Sequence, residues 1–578
     1  MSDDLERAGD DVAIADRQRR YLNRRTFLAA LAAAPAAAGA ASAFGAPAAA
    51  VAAPATRPAA PTAPPARTFR VPAGVASAAR QAVTDPTEYT VAGAALALAA
   101  GRISAVELVD AHLDRIAAYE STYLAYNTVL PEQARAAARR ADANRHSNPY
   151  AGIPLTVKDN YFTRGVRTTA NSTIFADFVP TYDATAVARL VAAGAVVIGK
   201  GQMGPLATTR ATLPNGTVTT VNAWTPTDPT VEPGGSSSGP ATSVAGRLAT
   251  TSIGTQTGGS ITAPSNAQNL TGLKPTMGRT SIHGVIPLSF TRDHSGPLAR
   301  DVLDAAIVTD ALAGPDPDDP RTLGLPPLPD LVRAASPVRS GGRVRLRRAT
   351  RIGVPPDYLA RAAPAVLAAR RALLTTLGRI PGARLVDVSY PEDWALLTGT
   401  FNAVRLSERT EPFRPYLRQD LGLFGVSLLS WLQGAMLSGD EWVTGQRAKT
   451  HLLLEVLTLL DRGCDVLLQT SPVPLDILGL PEVGFPIGFG VVQPGDGTVP
   501  PGPTVPIGTI LGGNPYEEDR LLEVVAAYQA VTDWQTRRPV DPPSAAAARA
   551  RGQARSGSAA LLAGRPRLDA ATAAATSA

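Results

Sequence analysis

The stretch that decides the fold is Gly152-Ile-Pro-Leu-Thr-Val-Lys-Asp-Asn160, and two turns rich in glycine and serine follow it. These turns are Pro233-Gly-Gly-Ser-Ser-Ser-Gly239 and Gly254-Thr-Gln-Thr-Gly-Gly-Ser-Ile261. The apolar run at residues 153–157 predicts a buried strand. Successive glycines let backbone amides turn toward one point with no Cβ in the way. The three stretches together predict a polar site that combines a lysine, serine hydroxyls and converging amides.

The lysine of the first stretch, Lys158, belongs to a residue type that this chain hardly uses. Lysine and arginine together number 55, and only four of these are lysines: Lys158, Lys200, Lys274 and Lys449. An arginine stays protonated in any protein setting, whereas a buried lysine can lose its charge near neutral pH. Lys158 is therefore the candidate for a general base.

The candidate nucleophile is Ser260, which ends the segment Thr257-Gly-Gly-Ser260 directly after a predicted strand. A serine hydrolase needs a nucleophile, a base that takes its proton, and donors that stabilise the tetrahedral oxyanion. Ser260 and Lys158 supply the first two, and the glycine-rich turn supplies amides for the third. We also expect residues 261–268 to form a helix whose N-terminus adds to the same field.

A histidine base is the alternative to Lys158. The chain has five histidines, and none lies in a Gly-x-Ser-x-Gly elbow or in a metal-binding pattern. His283 and His294 follow the turn that carries Ser260. A Ser-His-Asp triad stays open because its members can be distant in the chain. The simpler interpretation of both histidines is hydrogen bonding in loops near the site.

The motifs resemble those of the amidase signature family, whose members are serine hydrolases with a Ser-cisSer-Lys triad. The resemblance covers about residues 90–540 and rests on motifs in the family's order and spacing. Besides the three stretches quoted above, these motifs are Gly194-Ala-Val-Val-Ile-Gly-Lys200, Gly272-Leu-Lys-Pro-Thr276 and Gly284-Val-Ile-Pro287.

The resemblance implies an α/β fold, with an α/β/α sandwich around a large mixed β-sheet. It also implies that Ser260 is the nucleophile, Lys158 the base, and Ser236 the bridging serine that follows a cis peptide bond. Ser236 would pass the proton of Ser260 to neutral Lys158, and the protonated lysine would return it to the leaving amine. The oxyanion-hole candidates are the backbone amides of Thr257, Gly258, Gly259 and Ser260.

Two positions depart from the commonest pattern of the family. Ser238 stands where glycine is frequent, and Gln256 stands where aspartate is frequent. Gln256 changes the charge beside the nucleophile, which puts the usual network around Lys158 in doubt. Ser237 and Ser238 are alternative bridging serines if the turn is shifted. Other polar residues near the motifs are expected to have structural roles: Lys200, Lys274, Asp159, Asp293 and Arg300.

The two chain ends differ in composition from the rest, and four segments are predicted. Residues 1–46 contain Asn23-Arg-Arg-Thr-Phe-Leu28 and an uncharged alanine-rich stretch, as in a twin-arginine signal peptide. Residues 47–85 are predicted to be a Pro/Ala-rich linker, residues 86–543 the amidase domain, and residues 544–578 a disordered Ala/Arg-rich tail. We expect a secreted or cell-envelope protein without a stable membrane anchor after signal removal, and a retained anchor is the alternative.

Composition limits the remaining classes of function. The single cysteine, Cys464, excludes an internal disulfide. The net charge of +6 does not indicate a nucleic-acid partner, because the arginines are scattered and only residues 343–351 form a local cluster.

Short apolar runs, which alternate along the chain with helical segments, predict strands at 195–199, 248–253, 351–354, 465–468, 483–487 and 505–511. Helices are predicted at 184–193, 302–313 and 516–534, and a loop at 493–503. The aromatic-rich residues 390–460 are expected to form a helical layer packed on the sheet, with one or two aromatic side chains as candidates for an acyl pocket.

The sequence therefore predicts an exported amidase that hydrolyses a carboxamide or secondary amide through an acyl-enzyme on Ser260. The substrate is expected to be a small molecule or peptide amide, and no metal or organic cofactor is expected. The alternatives are a glutamine-hydrolysing subunit of a tRNA-dependent amidotransferase, an inactive binding protein on the same fold, and an esterase. The resemblance leaves a homodimer open.

Overall fold

The structure is a computed structural model that describes Phe69, Val71 and residues 83–148, 150–360, 362–397, 402–491 and 502–544. The predicted signal peptide, most of the predicted linker and nearly all of the predicted tail lie outside these residues. Most of the predicted loop at residues 493–503 lies outside them as well.

Eleven strands of the described residues form one mixed sheet, and the strands that carry the motifs lie next to one another in it. In chain order they are β1 (Tyr126–Val129), β2 (Ile153–Lys158), β3 (Ala195–Gly201), β4 (Thr251–Gln256), β5 (Thr271–Lys274), β6 (His294–Ala299), β9 (Thr350–Val354), β10 (Ala383–Asp387), β11 (Val466–Gln469), β12 (Glu482–Val491) and β13 (Thr504–Gly513). Their spatial order is β1-β3-β2-β4-β6-β5-β12-β13-β11-β9-β10. A separate two-stranded ribbon consists of β7 (Val338–Ser340) and β8 (Arg343–Arg345).

Fifteen α-helices occur in the described residues, and with the sheet they make the α/β/α sandwich that was predicted. They are α1 (Val91–Ala99), α2 (Ala105–Tyr123), α3 (Pro131–Ala143), α4 (Thr185–Ala193), α5 (Ser238–Ala245), α6 (Thr262–Ala267), α7 (Val302–Leu312), α8 (Leu331–Ala334), α9 (Pro364–Leu377), α10 (Asn402–Thr410), α11 (Arg414–Gln419), α12 (Leu428–Met436), α13 (Gly439–Thr458), α14 (Val473–Ile477) and α15 (Glu518–Gln529).

The direction of three strands places the site. β2 is parallel to β3 and to β4, and all six residues of both β2 and β4 are buried. Neighbouring parallel strands end at the same edge of a sheet, so the last residues of β2 and β4 lie close together there. The last residue of β2 is Lys158, and the turn with Ser260 follows β4. The sheet thus brings together two motifs that are about a hundred residues apart in the chain.

The aromatic-rich region forms the predicted helical layer. Phe413 packs edge-on against Trp431 with ring centroids 5.2 Å apart, and Phe424 lies 5.1 Å from the same ring. Phe413, Tyr416, Phe424 and Trp431 are all buried in one hydrophobic cluster, which confirms that they are core residues. Within the described ranges, no single helix has the length and apolarity to cross a membrane. The bent pair Leu421–Met436 and Gly439–Gly463, with 91° between its parts, meets both criteria together.

Most predicted elements are present, and most differ in their bounds by one or more residues; β12, for example, is longer than the predicted 483–487. Three differences bear on the site or on the chain ends. The strand predicted at 248–253 begins only at Thr251, because the amide of Leu248 still bonds to the carbonyl oxygen of Ser243 at the end of α5. The helix predicted at 516–534 ends at Gln529. The helix predicted at 261–268 has only the six residues Thr262–Ala267, so we assign no helix-dipole contribution to it.

Trp431→Ala should destabilise the protein by about 3–5 kcal/mol, since it empties a fully buried position where three aromatic or cationic groups meet. The matched control is Met436→Ala on the same helix, which removes a side chain that is 84 % exposed and should change stability by less than about 0.5 kcal/mol. Chemical unfolding followed by far-UV circular dichroism measures both. Equal stabilities of the two variants would contradict the assignment of Trp431 to the core.

Candidate active site

Lys158 ends β2 in the interior, and its side chain is held by uncharged groups. The lysine is 0 % exposed. Its Nζ lies 2.8 Å from Ser236 Oγ, 2.8 Å from Thr255 Oγ1 and 3.3 Å from the carbonyl oxygen of Thr255. Within the described residues no carboxylate is among its hydrogen-bond partners. The structure therefore joins the predicted base to the predicted bridging serine.

Burial lowers the pKa of Lys158 to about 7, because removal of an ammonium group from water favours its neutral form. The buried carboxylate of Asp293 partly opposes this shift. A lysine with a pKa near 7 is largely neutral in mildly alkaline solution and can then accept a proton.

The turn before α5 brings Ser236 to Lys158 by close backbone packing. Gly234 has φ +75°, and a Cβ there would lie 2.4 Å from Pro264 Cα. The peptide bond between Gly235 and Ser236 is cis, as the resemblance implied. Ser236 is 1 % exposed, and its hydroxyl points to Lys158.

The two alternative bridging serines have other partners. Ser237 Oγ lies 3.4 Å from the carbonyl oxygen of Thr255. Ser238 Oγ donates to the carbonyl oxygen of Gly234 at 2.6 Å and accepts from the amide of Ala211 at 2.9 Å. Ser238 thus closes its own turn, and neither serine is a hydrogen-bond partner of Lys158 in the described part of the chain.

Ser260 follows β4 on a turn whose amides are free for a ligand. Gly259 has φ +117°, and a Cβ there would lie 2.7 Å from Pro472 Cγ, so this turn requires glycine. The amides of Thr257, Gly258, Gly259 and Ser260 donate to no acceptor among the described residues. Ser260 is half-buried, and its hydroxyl has no hydrogen bond to another described residue. The structure thus leaves the predicted nucleophile and oxyanion donors unengaged.

Thr257, at the start of the same turn, is fixed by Asp293. Thr257 Oγ1 donates to Asp293 Oδ1 at 2.5 Å. The other oxygen of Asp293 accepts from the amides of Leu288 at 2.8 Å and Ser289 at 3.1 Å. Asp293 therefore connects the loop before β6 to the turn of Ser260, which is the structural role expected for it.

Two guanidinium groups border the turn. A Cβ on Gly258 would lie 3.6 Å from Arg292 Nη2 and 3.7 Å from Arg405 Nη1. Burial, together with the nearby charge of Arg292, lowers the pKa of Arg405 to about 10. Arg292 also pairs with the buried carboxylate of Asp476 at 3.5 Å, which offsets part of the positive charge that the two cations place beside the candidate oxyanion hole.

The sequence analysis did not identify Thr255 or Arg405. Thr255 lies in the quoted stretch and faces the base, but threonine has no distinctive signal among so many hydroxyl residues. Arg405 belongs to α10, roughly 150 residues after the turn it borders, and only the tertiary packing reveals it.

The other three lysines are buried as well and have structural contacts. Lys200 Nζ donates to the carbonyl oxygen of Tyr161 at 2.6 Å and lies 3.5 Å from Asp159 Oδ1. Lys274 bonds to the carbonyl oxygen of Leu480, and Lys449 to that of Thr291 at 3.2 Å. Arg300 is buried too and donates to the carbonyl oxygens of Thr87 and Tyr89 at 2.6 and 2.9 Å.

Neither suspected histidine contacts Ser260 or Ser236 within the described residues. His283 stacks on Tyr182 with ring centroids 5.5 Å apart. His294 is buried in β6, and burial together with the charge of Lys274 lowers its pKa well below the ordinary value. The geometry therefore gives the histidine alternative no support.

One group of side chains in the described residues has the spacing of metal ligands. Asp393, His451 and Glu455 place their ligand atoms within 4.8 Å of one another on the surface. The 3.2 Å contact of His451 and Glu455 is also what an ion pair one helical turn apart gives. None of the three is a hydrogen-bond partner of Lys158, Ser236 or Ser260 in the described ranges, and we assign no metal to them.

The comparisons with known proteins agree with this geometry. Residues 107–435 match the family described as Amidase. A glutamyl-tRNA(Gln) amidotransferase subunit from Chloroflexus aggregans is 34 % identical, over 79 % of this chain and 99 % of its own length. The corresponding protein from a Roseiflexus species is 35 % identical over 78 % and 98 %. The solved native peptide amidase of Stenotrophomonas maltophilia has a TM-score of 0.64 at 28 % identity, over 79 % of this chain and 98 % of its own.

The family match spans more than half of the chain and includes all three motif stretches with which the sequence analysis began. The sheet topology, the buried contact between Ser236 and Lys158, and the relatives all agree with this family match. The chain belongs to the amidase family and is an amide-hydrolysing enzyme.

Proposed function

We propose that this enzyme is an exported amidase that cleaves a carboxamide or secondary amide through an acyl-enzyme on Ser260. Ser236 and Lys158 act as its proton relay. The main support is the 2.8 Å contact between Ser236 Oγ and a fully buried lysine that has no carboxylate partner among the described residues.

The reaction begins when Ser260 Oγ attacks the amide carbon of the substrate. Its proton passes to Ser236 while the proton of Ser236 passes to neutral Lys158. The carbonyl oxygen becomes an oxyanion, which the candidate amides of Thr257, Gly258, Gly259 and Ser260 stabilise, with the guanidinium groups of Arg292 and Arg405 beside the turn. Protonated Lys158 then returns the proton along the same path to the leaving nitrogen, and an amine departs. Water cleaves the resulting ester by the reverse relay and releases the acid.

The free hydroxyl of Ser260 fits this scheme. Catalytic hydrogen bonds are often long or absent in a free enzyme and form when the substrate binds. Rotation of the Ser260 side chain toward Ser236 completes the relay in the substrate complex.

The proposed substrates are small-molecule or peptide amides. The peptide amidase of S. maltophilia, which this chain resembles over nearly the whole length of that protein, supports a peptide amide as the first substrate to test. Export rests on Asn23-Arg-Arg-Thr-Phe-Leu28 and the alanine-rich stretch that follows it.

A second candidate function is glutamine hydrolysis within an amidotransferase complex. The curated relatives named above are amidotransferase subunits, and this chain covers almost their full length. The proposed export signal favours the first candidate, because an amidotransferase subunit requires cytosolic partners. Glutaminase activity in the cytosolic fraction, with a second protein chain that co-purifies, would favour the amidotransferase.

Ser260→Ala should lower kcat by roughly 10⁴- to 10⁶-fold, because it removes the nucleophile. Lys158→Arg should be nearly as damaging, since arginine keeps the charge but cannot act as a base at neutral pH. Hydrolysis of a panel of peptide, aryl and aliphatic amides by the mature protein measures both effects.

The matched control is Ser237→Ala in the neighbouring turn, which removes only a 3.4 Å contact and should keep most of the activity. Labelling by a fluorophosphonate probe should be lost in Ser260→Ala and strongly slowed in Lys158→Arg, and it should persist in Ser237→Ala. Parent-like turnover by Lys158→Arg would refute the lysine-base mechanism. Absence of probe labelling in the parent enzyme would favour an inactive binding protein.

The ratio kcat/KM should fall as the pH drops through about 7. The neutral form of Lys158 is the active one, and its pKa is lowered to about 7, so acid converts the base into an ammonium. Circular dichroism at each pH separates this titration from acid unfolding. A profile that stays level down to about pH 5 would be incompatible with Lys158 as the base.

Replacement of Arg24 and Arg25 by lysine should hold the full-length protein in the cytoplasm of a bacterial host that has a twin-arginine translocase. The matched control replaces Arg19 and Arg20 in the same way and should leave export intact. Cell fractionation and the mass of the mature chain provide the readout. Equal export of both variants would argue against the proposed signal.

A further inference from the structure

The residue that departs from the family pattern beside the nucleophile, Gln256, has a specific set of partners. Its Oε1 accepts from the amides of Ile261 and Thr262, both at 3.0 Å, and from Thr262 Oγ1 at 3.2 Å. Gln256 is 0 % exposed. One side chain at the end of β4 thus closes the turn that carries Ser260 and caps the first residues of α6.

This contact does what a helix cap does, but it comes from the preceding strand. The first amides of a helix lack partners inside it and need an acceptor. Ile261, at the N-cap position of α6, offers no side-chain acceptor. Gln256 supplies that acceptor across the turn, and its two amide contacts directly follow Ser260 in the chain.

The orientation of the Gln256 amide is set by a second buried residue. Gln256 Nε2 donates to Glu482 Oε2 at 2.9 Å, and the other oxygen of Glu482 accepts from Gln469 Nε2 at 3.0 Å. Glu482 is also fully buried, in β12. Since Glu482 accepts from the amide nitrogen, the oxygen of Gln256 must face the turn.

We propose that Gln256 is a positioning residue for the nucleophile, and that Glu482 fixes its amide so that Oε1 holds the Ser260 turn in its reactive shape. A buried hydrogen-bonded pair of this kind is rigid because each partner has only one satisfactory orientation. The inference rests on the proposed role of Ser260 as nucleophile.

The test exchanges the two side chains. Gln256→Glu keeps the shape of the side chain, but once the pair loses its shared proton it sets two carboxylates against each other at the 2.9 Å contact. The turn should shift, and kcat should fall by roughly 10- to 100-fold with little change in KM, as small displacements of catalytic groups have effects of this size. Gln256→Glu combined with Glu482→Gln restores one donor and one acceptor, and should recover kcat to within about threefold of the parent.

The assay pH matters, because a carboxyl pair can share a proton and keep its hydrogen bond. Burial raises the pKa of Glu482 to about 8, Lys274 opposes the shift, and Asp476 adds to it. In the variant the second buried carboxyl raises the pKa of the pair further, so the pair loses its shared proton only above about pH 8, where Lys158 is already neutral. The Gln256→Glu variant should therefore lose kcat relative to the parent between about pH 8 and pH 10.

Glu482→Gln alone should have a smaller effect than Gln256→Glu. The new amide can still accept from Gln256 if its nitrogen turns to Gln469 and the Gln469 amide flips to present Oε1, which has no partner among the described residues. The control for added charge is Gln133→Glu on the exposed face of α3, which should leave kcat unchanged.

A double variant that is as slow as Gln256→Glu, or a Gln256→Glu variant within twofold of the parent at every pH up to about 10, would overturn the inference. Gln256→Asn is the alternative variant if Gln256→Glu fails to fold, because it shortens the side chain by one methylene and adds no charge. A parent-like kcat in Gln256→Asn would also overturn the inference. Ser260→Ala tests the proposed function separately from the positioning role of Gln256. If that variant remains active, the proposed function fails; if it is inactive while Gln256→Glu is fully active, only the positioning role fails.

Discussion

The proposed catalytic site depends on one constraint: the amino group of Lys158 lies in the protein interior, and no carboxylate of the described residues lies at hydrogen-bond distance from it. A charge in this position is costly unless it is paired. Two hydroxyls and a carbonyl oxygen surround the nitrogen, and these groups can serve a neutral amine as well as a charged one. The site therefore stabilises the form of lysine that can accept a proton, and it places the hydroxyl of Ser236 at the point of transfer.

The distribution of basic residues in the chain follows the same logic. All four lysines are buried, whereas most exposed basic positions are arginines. Lys200 illustrates the contrast with Lys158, since it lies 3.5 Å from the carboxylate of Asp159 and serves to hold a loop. Lys274 and Lys449 likewise have no carboxylate at ion-pair distance among the described residues, and each bonds to a backbone carbonyl oxygen. What separates the proposed base from the other lysines is its 2.8 Å contact with the hydroxyl of Ser236, which residue type alone does not reveal.

The sequence predicted the parts of the fold and site that depend on local pattern. Short apolar runs predicted the strand that ends at Lys158 and the strand that precedes the Ser260 turn. The glycine content of the intervening stretches predicted the turns. The helix after Ser260 proved shorter than predicted, because its hydroxyl-rich residues offer little apolar periodicity to mark its end. Arg405 and Glu482 were missed because each reaches the site from a distant element. Their relation to the Ser260 turn is a consequence of tertiary packing, on which residue spacing carries no information.

The short strand β4 explains how both halves of the site are held by neighbouring residues. Successive side chains of a strand point to opposite faces of the sheet. Thr255 accepts from Lys158, while Gln256, the next residue, accepts from the amides that follow Ser260. A shift of β4 by one residue would exchange these faces and would separate both Lys158 and the Ser260 turn from the side chains that support them. The antiparallel pairing of β4 with β6 opposes such a shift, because it fixes Gln256 opposite His294. The register of this one strand therefore couples the protonation chemistry of Lys158 to the placement of Ser260.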